Sequence, residues 1–204
     1  SSGFTLSMSA SAPVYYTLDG ADPREYGSGR AVGHLYSGPI TLERTALVKA
    51  RAMASESNWS ALNEALFVLD TPSPLRITEI MYHSRAPSGA EASGDYDAGD
   101  FDFIELRNTG AGTIGLAGIA FTNGVDFDFT DSGIHTLAPG ESVVVVKNMA
   151  AFAERYANWA EIKIAGEFMF PAESLANGGE RLALRDGLGR TILSFEYDDD
   201  WHPN

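Results

Sequence analysis

The chain has no cysteine. No disulfide supports any part of it, and no thiolate serves as nucleophile or metal ligand; that absence fits any cellular compartment. Long apolar runs are missing too. None approaches the ~20 residues needed to span a bilayer, and the chain opens on Ser1-Ser2-Gly3 with no basic and apolar secretion signal. Because Ser1 and Ser2 lead almost directly into an alternating run, the chain is expected to be a piece excised from something longer. Positive charge is scarce: 14 Lys and Arg stand against 28 Asp and Glu, a formal net charge of −14. This argues against nucleic acid as a partner, because phosphates are met by Lys and Arg.

The deficit is uneven. Residues 1–74 hold 5 basic and 7 acidic side chains, whereas residues 75–204 hold 9 and 21. The acidity of the second part is either solvated surface or a place for divalent cations. What the chain does have is 204 residues, 44% of them apolar, enough for one large core or two small ones; two are expected. Twenty-one glycines, nine prolines and short apolar runs between turn signals predict an all-β chain.

Phe4 to Ser9 alternates as an edge strand, and Ala12 to Leu18 as another, closed by the turn Asp19-Gly20. Ile40-Thr41-Leu42 is a short strand, and Thr45 to Met53 alternates as a strand with one wet face. A last strand ends in ALFVL, before Asp70-Thr71-Pro72-Ser73-Pro74, whose prolines make a stiff linker. The blocks VYYTLDGADP, LYSGPITLERTALVKARA, WSA and ALFVL resemble a chitobiase/β-hexosaminidase C-terminal domain over about Gly3 to Leu69. That resemblance implies a fibronectin- or immunoglobulin-like sandwich acting as an accessory module, with no catalytic residues.

The second unit begins with LRITEIMY and returns in DFIELRN after a loop rich in Gly, Ser and Asp. Period two places Ile77, Glu79 and Met81 on one face and Thr78, Ile80 and Tyr82 on the other. It likewise sets Phe103, Glu105 and Arg107 against Ile104 and Leu106. Ser142 to Lys147 (SVVVVK) is the most β-branched segment and is expected to be a central strand. Asn148 caps a short helix whose stripe is Met149, Phe152, Ala153 and Tyr156. Gly110 to Gly115 spells GxGxxG, but LAGIAF follows as strand where a dinucleotide site needs a helix, so the motif is rejected.

LRITEIMYH, DFDFIELRNTG, LAPGESVVVVKN, FAERYA, LANGGERLALRDGLGRTILSFEYDD and the Trp201-His202-Pro203 ending resemble a bacterial lamin-tail domain from about Leu75 to the end. The fold class expected is therefore all-β: two immunoglobulin-like β-sandwiches in tandem over residues 1–69 and 75–204, joined by residues 70–74, with one short helix in the second. Two departures stand out. Gly118-Ile119 occupies the block where the family usually has a tryptophan, and family members typically continue into one further strand beyond the position of Asn204. The resemblance implies a part of a large bacterial secreted or cell-surface protein, whose other domains are its partners.

Glu79 and Glu105 are open to two readings. Paired carboxylates about 5 to 9 Å apart are what glycosidases use, which would make this a carbohydrate-active fragment. The expectation is instead that both are internal polar anchors, accepting from the backbone or from an arginine such as Arg107 or Arg181, because a buried carboxylate must be partnered. Asp95, Asp97, Asp100 and Asp102 cluster on a loop in a way that suits Ca²⁺, although position 6 of an EF-hand count from Asp95 is Asp100 and position 12 is Leu106. Asp126, Asp128 and Asp131 form a weaker cluster, and Asp198 to Asp200 a solvated tail. The four histidines, His34, His83, His135 and His202, are scattered, and no GxSxG elbow or phosphate loop occurs. Trp59 is expected to pack on its own sandwich, and Trp59, Trp159 and Trp201 are too dispersed for a sugar platform. The function expected is a non-catalytic binding, adhesion or spacing module. It needs no cofactor, has Ca²⁺ as its one candidate ion and a carbohydrate or surface protein as external partner, and does not insert into a membrane.

Overall fold

The computed structural model describes residues 3–156, 159–169 and 175–201, the last without the Trp201 side chain. The first unit contains β1 (Phe4–Leu6), β2 (Val14–Thr17), β3 (His34–Leu35), β4 (Ile40–Leu42), β5 (Ala46–Ser55), β6 (Asn58–Trp59) and β7 (Asn63–Phe67). Strand β5 is its spine, pairing with β2, β6 and β7, while β3 extends the sheet beyond β2. The β1–β4 pair lies over this sheet, and Leu42, Ala46 and Val48 are buried between them with Leu6, Ile40 and Phe67. Trp59 is half-buried, packed on Tyr15 with ring centroids 5.6 Å apart, and its indole N–H donates to the Gly29 carbonyl at 2.8 Å. It packs on its own sandwich, as the sequence predicts.

The second unit contains β8 (Leu75–Met81), β9 (Phe103–Asn108), β10 (Ile114–Gly115), β11 (Ala120–Asn123), β12 (Phe127–Asp128), β13 (Thr136–Leu137) and β14 (Ser142–Val146). After helix α1 (Met149–Arg155) come β15 (Ile164–Glu167), β16 (Gly179–Arg185) and β17 (Thr191–Asp198). Two four-stranded sheets, ordered β15-β14-β9-β8 and β12-β11-β16-β17, face each other. Their inner residues interdigitate, as aligned sandwiches do: Ile104, Leu106, Val143 and Val145 from one sheet, Phe121, Leu182, Leu184 and Tyr197 from the other. The chain is thus all-β with one short helix, in tandem sandwiches.

The valine run has a physical reason. Val143 and Val145 enter the central core, while Val144 and Val146 point the other way, into a second apolar layer with Phe103 and Phe152. A strand buried on both faces has no use for a polar alternate residue. The lid of that second layer is α1, whose Asn148 side chain accepts from the Ala151 N–H at 3.1 Å. Phe152 and Tyr156 pack edge-on to Phe103 at 5.5 and 5.7 Å. Met149 is exposed and Ala151 is buried, so the helix is rotated slightly from the stripe expected.

Strand β8 departs from strict alternation. Its pairing with β9 shifts between Ile77 and Glu79, a bulge at Thr78. One extra residue reverses the side-chain parity beyond it. Ile77 and Ile80 therefore both pack on the central core, while Glu79 joins Met81 on the outer side. The GxGxxG match ends inside β10, where Gly115 pairs with Thr136.

The two units are docked against one another. A Cβ added at Gly115 would lie 2.0 Å from the Thr45 carbonyl oxygen, and one at Gly187 would lie 2.8 Å from Leu66 and 2.9 Å from Val68. Arg190 binds Asp186 at 2.7 Å, the Leu69 carbonyl at 3.2 Å, and the carboxylate of Asp70. Ile119 stands where the family's tryptophan is expected and is buried in the core, while Gly118 beside it admits the Leu66 side chain.

Candidate functional site

The functional candidates converge on one side of the second sandwich, around β8, β9 and the loop 83–102 that joins them. The loop is strapped down at its middle. Glu91 sits in a 3₁₀ turn (Gly89–Ser93) and is buried, which demands that its charge be fully partnered. Arg155, in the last turn of α1, supplies a two-pronged partner, donating from Nε at 3.0 Å and Nη2 at 3.0 Å. Arg85 adds a third bond at 2.9 Å, and the Ser88 N–H a fourth at 3.2 Å. The Arg155 guanidinium lies 3.2 Å from the centroid of the Phe101 ring and also donates to the Arg85 carbonyl, a stacking that suits a flat, weakly hydrated cation. These bonds, Arg155 foremost, hold the Glu91 carboxyl down at about 2. Sequence reasoning missed this cluster, because 64 positions separate the two charges and no local pattern links them.

The neck of the same loop is different in kind. Ser84 enters it and Asp102 leaves it, and both are buried. Neither the Ser84 hydroxyl nor either carboxylate oxygen of Asp102 has a hydrogen-bond partner among the described residues. The Ser84 hydroxyl, its N–H and the Leu175 N–H face the carboxyl without reaching hydrogen-bond geometry, and Asp100 adds a like charge nearby. Burial dominates and pushes the Asp102 carboxyl up to about 7.

The acidic loop does not gather into one site. Asp100 accepts from the Asp97 N–H at 2.8 Å and so closes a 3₁₀ turn, Asp95 is exposed, and Asp102 turns inward. Among the described residues no three acidic or histidine side chains converge as a cation site would need. Asp128 similarly caps a turn through the Thr130 N–H at 2.7 Å, with Asp126 and Asp131 exposed. Asp198 accepts from the Asp200 N–H. His202 lies outside the described residues.

Glu79 and Glu105 are directly opposite each other across β8 and β9, but they are not the internal anchors expected. The bulge at Thr78 and the parity of β9 turn both to the outer face, where Glu79 is exposed and Glu105 half-buried. Glu105 accepts from the Thr78 hydroxyl. Neither arginine reaches them: Arg107 is exposed on β9, and Arg181 donates to Ser194 at 2.9 Å on the opposite sheet. A charge on an outer face is solvated, so it needs no buried partner.

Strand β8 ends its sheet, and β17 ends the facing one. Between these edges lies an apolar groove lined by Ile77, Ile80, Tyr82, Phe195 and Tyr197. A second hollow follows the chain from Glu79 to Ala86, past His83 and Arg85.

Comparison with known proteins supplies the family. A family model for the Chitobiase/beta-hexosaminidase C-terminal domain matches residues 2–64, and one for the Lamin Tail Domain matches residues 70–199. No curated protein and no solved structure matches the chain. With its facing four-stranded sheets, its twice-buried valine strand and a match over most of its length, the chain belongs to the lamin tail domain family.

Proposed function

We propose that the chain is a non-catalytic pair of sandwich modules that spaces and presents neighbouring domains of a larger bacterial secreted or cell-surface protein. The observation that carries this reading is the fixed joint. Gly115 lets the second unit approach the Thr45 backbone, Gly187 admits the Leu66 and Val68 side chains, and Arg190 ties the end of the first unit to a turn of the second. A tether needs only a linker, whereas a spacer of defined angle needs such a surface.

Small-angle scattering of the whole chain tests it. The expected result is one rigid particle, and Gly115→Val is expected to broaden the distance distribution and cost about 2 kcal/mol by overpacking against the Thr45 carbonyl. Scattering of the unmodified chain that requires many interdomain orientations would remove the spacing role. Turnover of a chitooligosaccharide that disappears in Glu79→Gln or Glu105→Gln would remove the non-catalytic part.

A further inference from the structure

We propose that β8 is a docking edge for an extended peptide segment in which apolar residues alternate with lysine or arginine. The inference names a binding partner for the module proposed above but does not depend on the spacing role, which scattering tests separately.

An edge strand presents unpaired N–H and C=O groups along one side, and a peptide that adds as a further strand satisfies them. Among the described residues β8 pairs only with β9. Side chains of an added strand alternate between faces, and β8 has a receiving surface on each. Toward the sandwich interior lies the apolar groove of Ile77, Ile80 and Tyr82. Toward the outer face stands Glu79, with Glu105 directly behind it, and no salt bridge holds either carboxylate among the described residues. A residue paired opposite Glu79 shares its face, so a lysine or arginine there would meet two carboxylates in line. The acidic balance of residues 75–204 adds a long-range attraction of the same sign. The bulge at Thr78 limits the regular edge to Glu79, Ile80 and Met81 and their flanks. That confines docking to a short segment whose cationic position falls at Glu79.

The test uses the whole chain and a fluorescent peptide of about ten residues alternating valine with lysine, beside a second alternating valine with glutamate. Anisotropy is expected to show the lysine peptide binding about tenfold more tightly, with amide exchange slowed across Arg76 to Tyr82. Glu79→Lys, an exposed change that leaves the core untouched, is expected to reverse the preference, and Ile80→Asp to weaken both peptides. The proposal fails if slowed exchange falls elsewhere or if Glu79→Lys leaves the preference unchanged. It fails equally if protection of β8 rises with protein concentration in the absence of peptide, which would make a second copy the occupant.

Discussion

Asp102→Asn is expected to stabilise the folded chain by about 2 kcal/mol near neutral pH, an unusual sign for a buried substitution. The carboxyl has no hydrogen-bond partner among the described residues and almost no solvent, so folding favours its neutral form. Held near 7 where an ordinary aspartate lies at 3.8, it would cost about 4 kcal/mol at most if ionised, and water penetration reduces that by roughly half. The direction with pH follows. Between 3.8 and about 7 the folded chain binds the proton that the unfolded chain has released, so this group's contribution falls as pH rises across that window and is flat above it. The asparagine variant has nothing to ionise. Urea unfolding at about pH 4 and about pH 8 should therefore show the two proteins nearly equal at the lower value and separated at the higher one. Equal stability at both would mean that Asp102 finds partners on folding.

Arg155→Ala is expected to lower the melting temperature by at least about 5 °C and to loosen the loop 83–102 selectively, because it removes the two-pronged partner of a buried carboxylate and leaves the charge behind. Arg155→Lys should recover only part of the loss, since an ammonium supplies neither the fork nor the flat surface against Phe101. The pH signature is opposite to that of Asp102. Glu91 is held at about 2, against 4.5 for a free glutamate. Its contribution is thus complete above about 4.5 and is lost as pH falls from there through about 2. Amide exchange over residues 83–102 reads both effects: faster exchange in Arg155→Ala at neutral pH, and convergence of the two proteins in acid. Uniform acceleration across the whole chain would show that the ion pair supports the fold at large.

Together the two groups divide the loop between β8 and β9 into a strongly fastened middle and a neck that is more stable when Asp102 is protonated. The middle is fastened to α1, which in turn covers the outer apolar layer of the sheet. This places the bulged edge of β8 beside a loop anchored at one point, next to the surface proposed for a docking peptide.

Much of this architecture was legible in the residues. SVVVVK announces a central strand, because β-branched residues favour the pleated sheet. Asn148 announces the start of α1, because its side chain reaches an early helical amide. That Glu79 and Glu105 lie at comparable places on two successive strands is also legible, although their direct opposition is set by the register. Their side of the sheet does not, since a bulge adds one residue without altering composition and reverses every side chain beyond it.

By itself, the sequence determined the all-β class and the strands that carry the glutamates, through short-range periodicity and turn chemistry, while the tandem of sandwiches followed from its resemblance to two known families. Only the tertiary structure decided that Glu79 and Glu105 face outward, that Glu91 is met by Arg155, and that Asp102 leaves its acidic loop for the interior beside Ser84. Each of those outcomes depends on which distant segment closes over a side chain, and burial sets whether a carboxylate is solvated, paired or neutral.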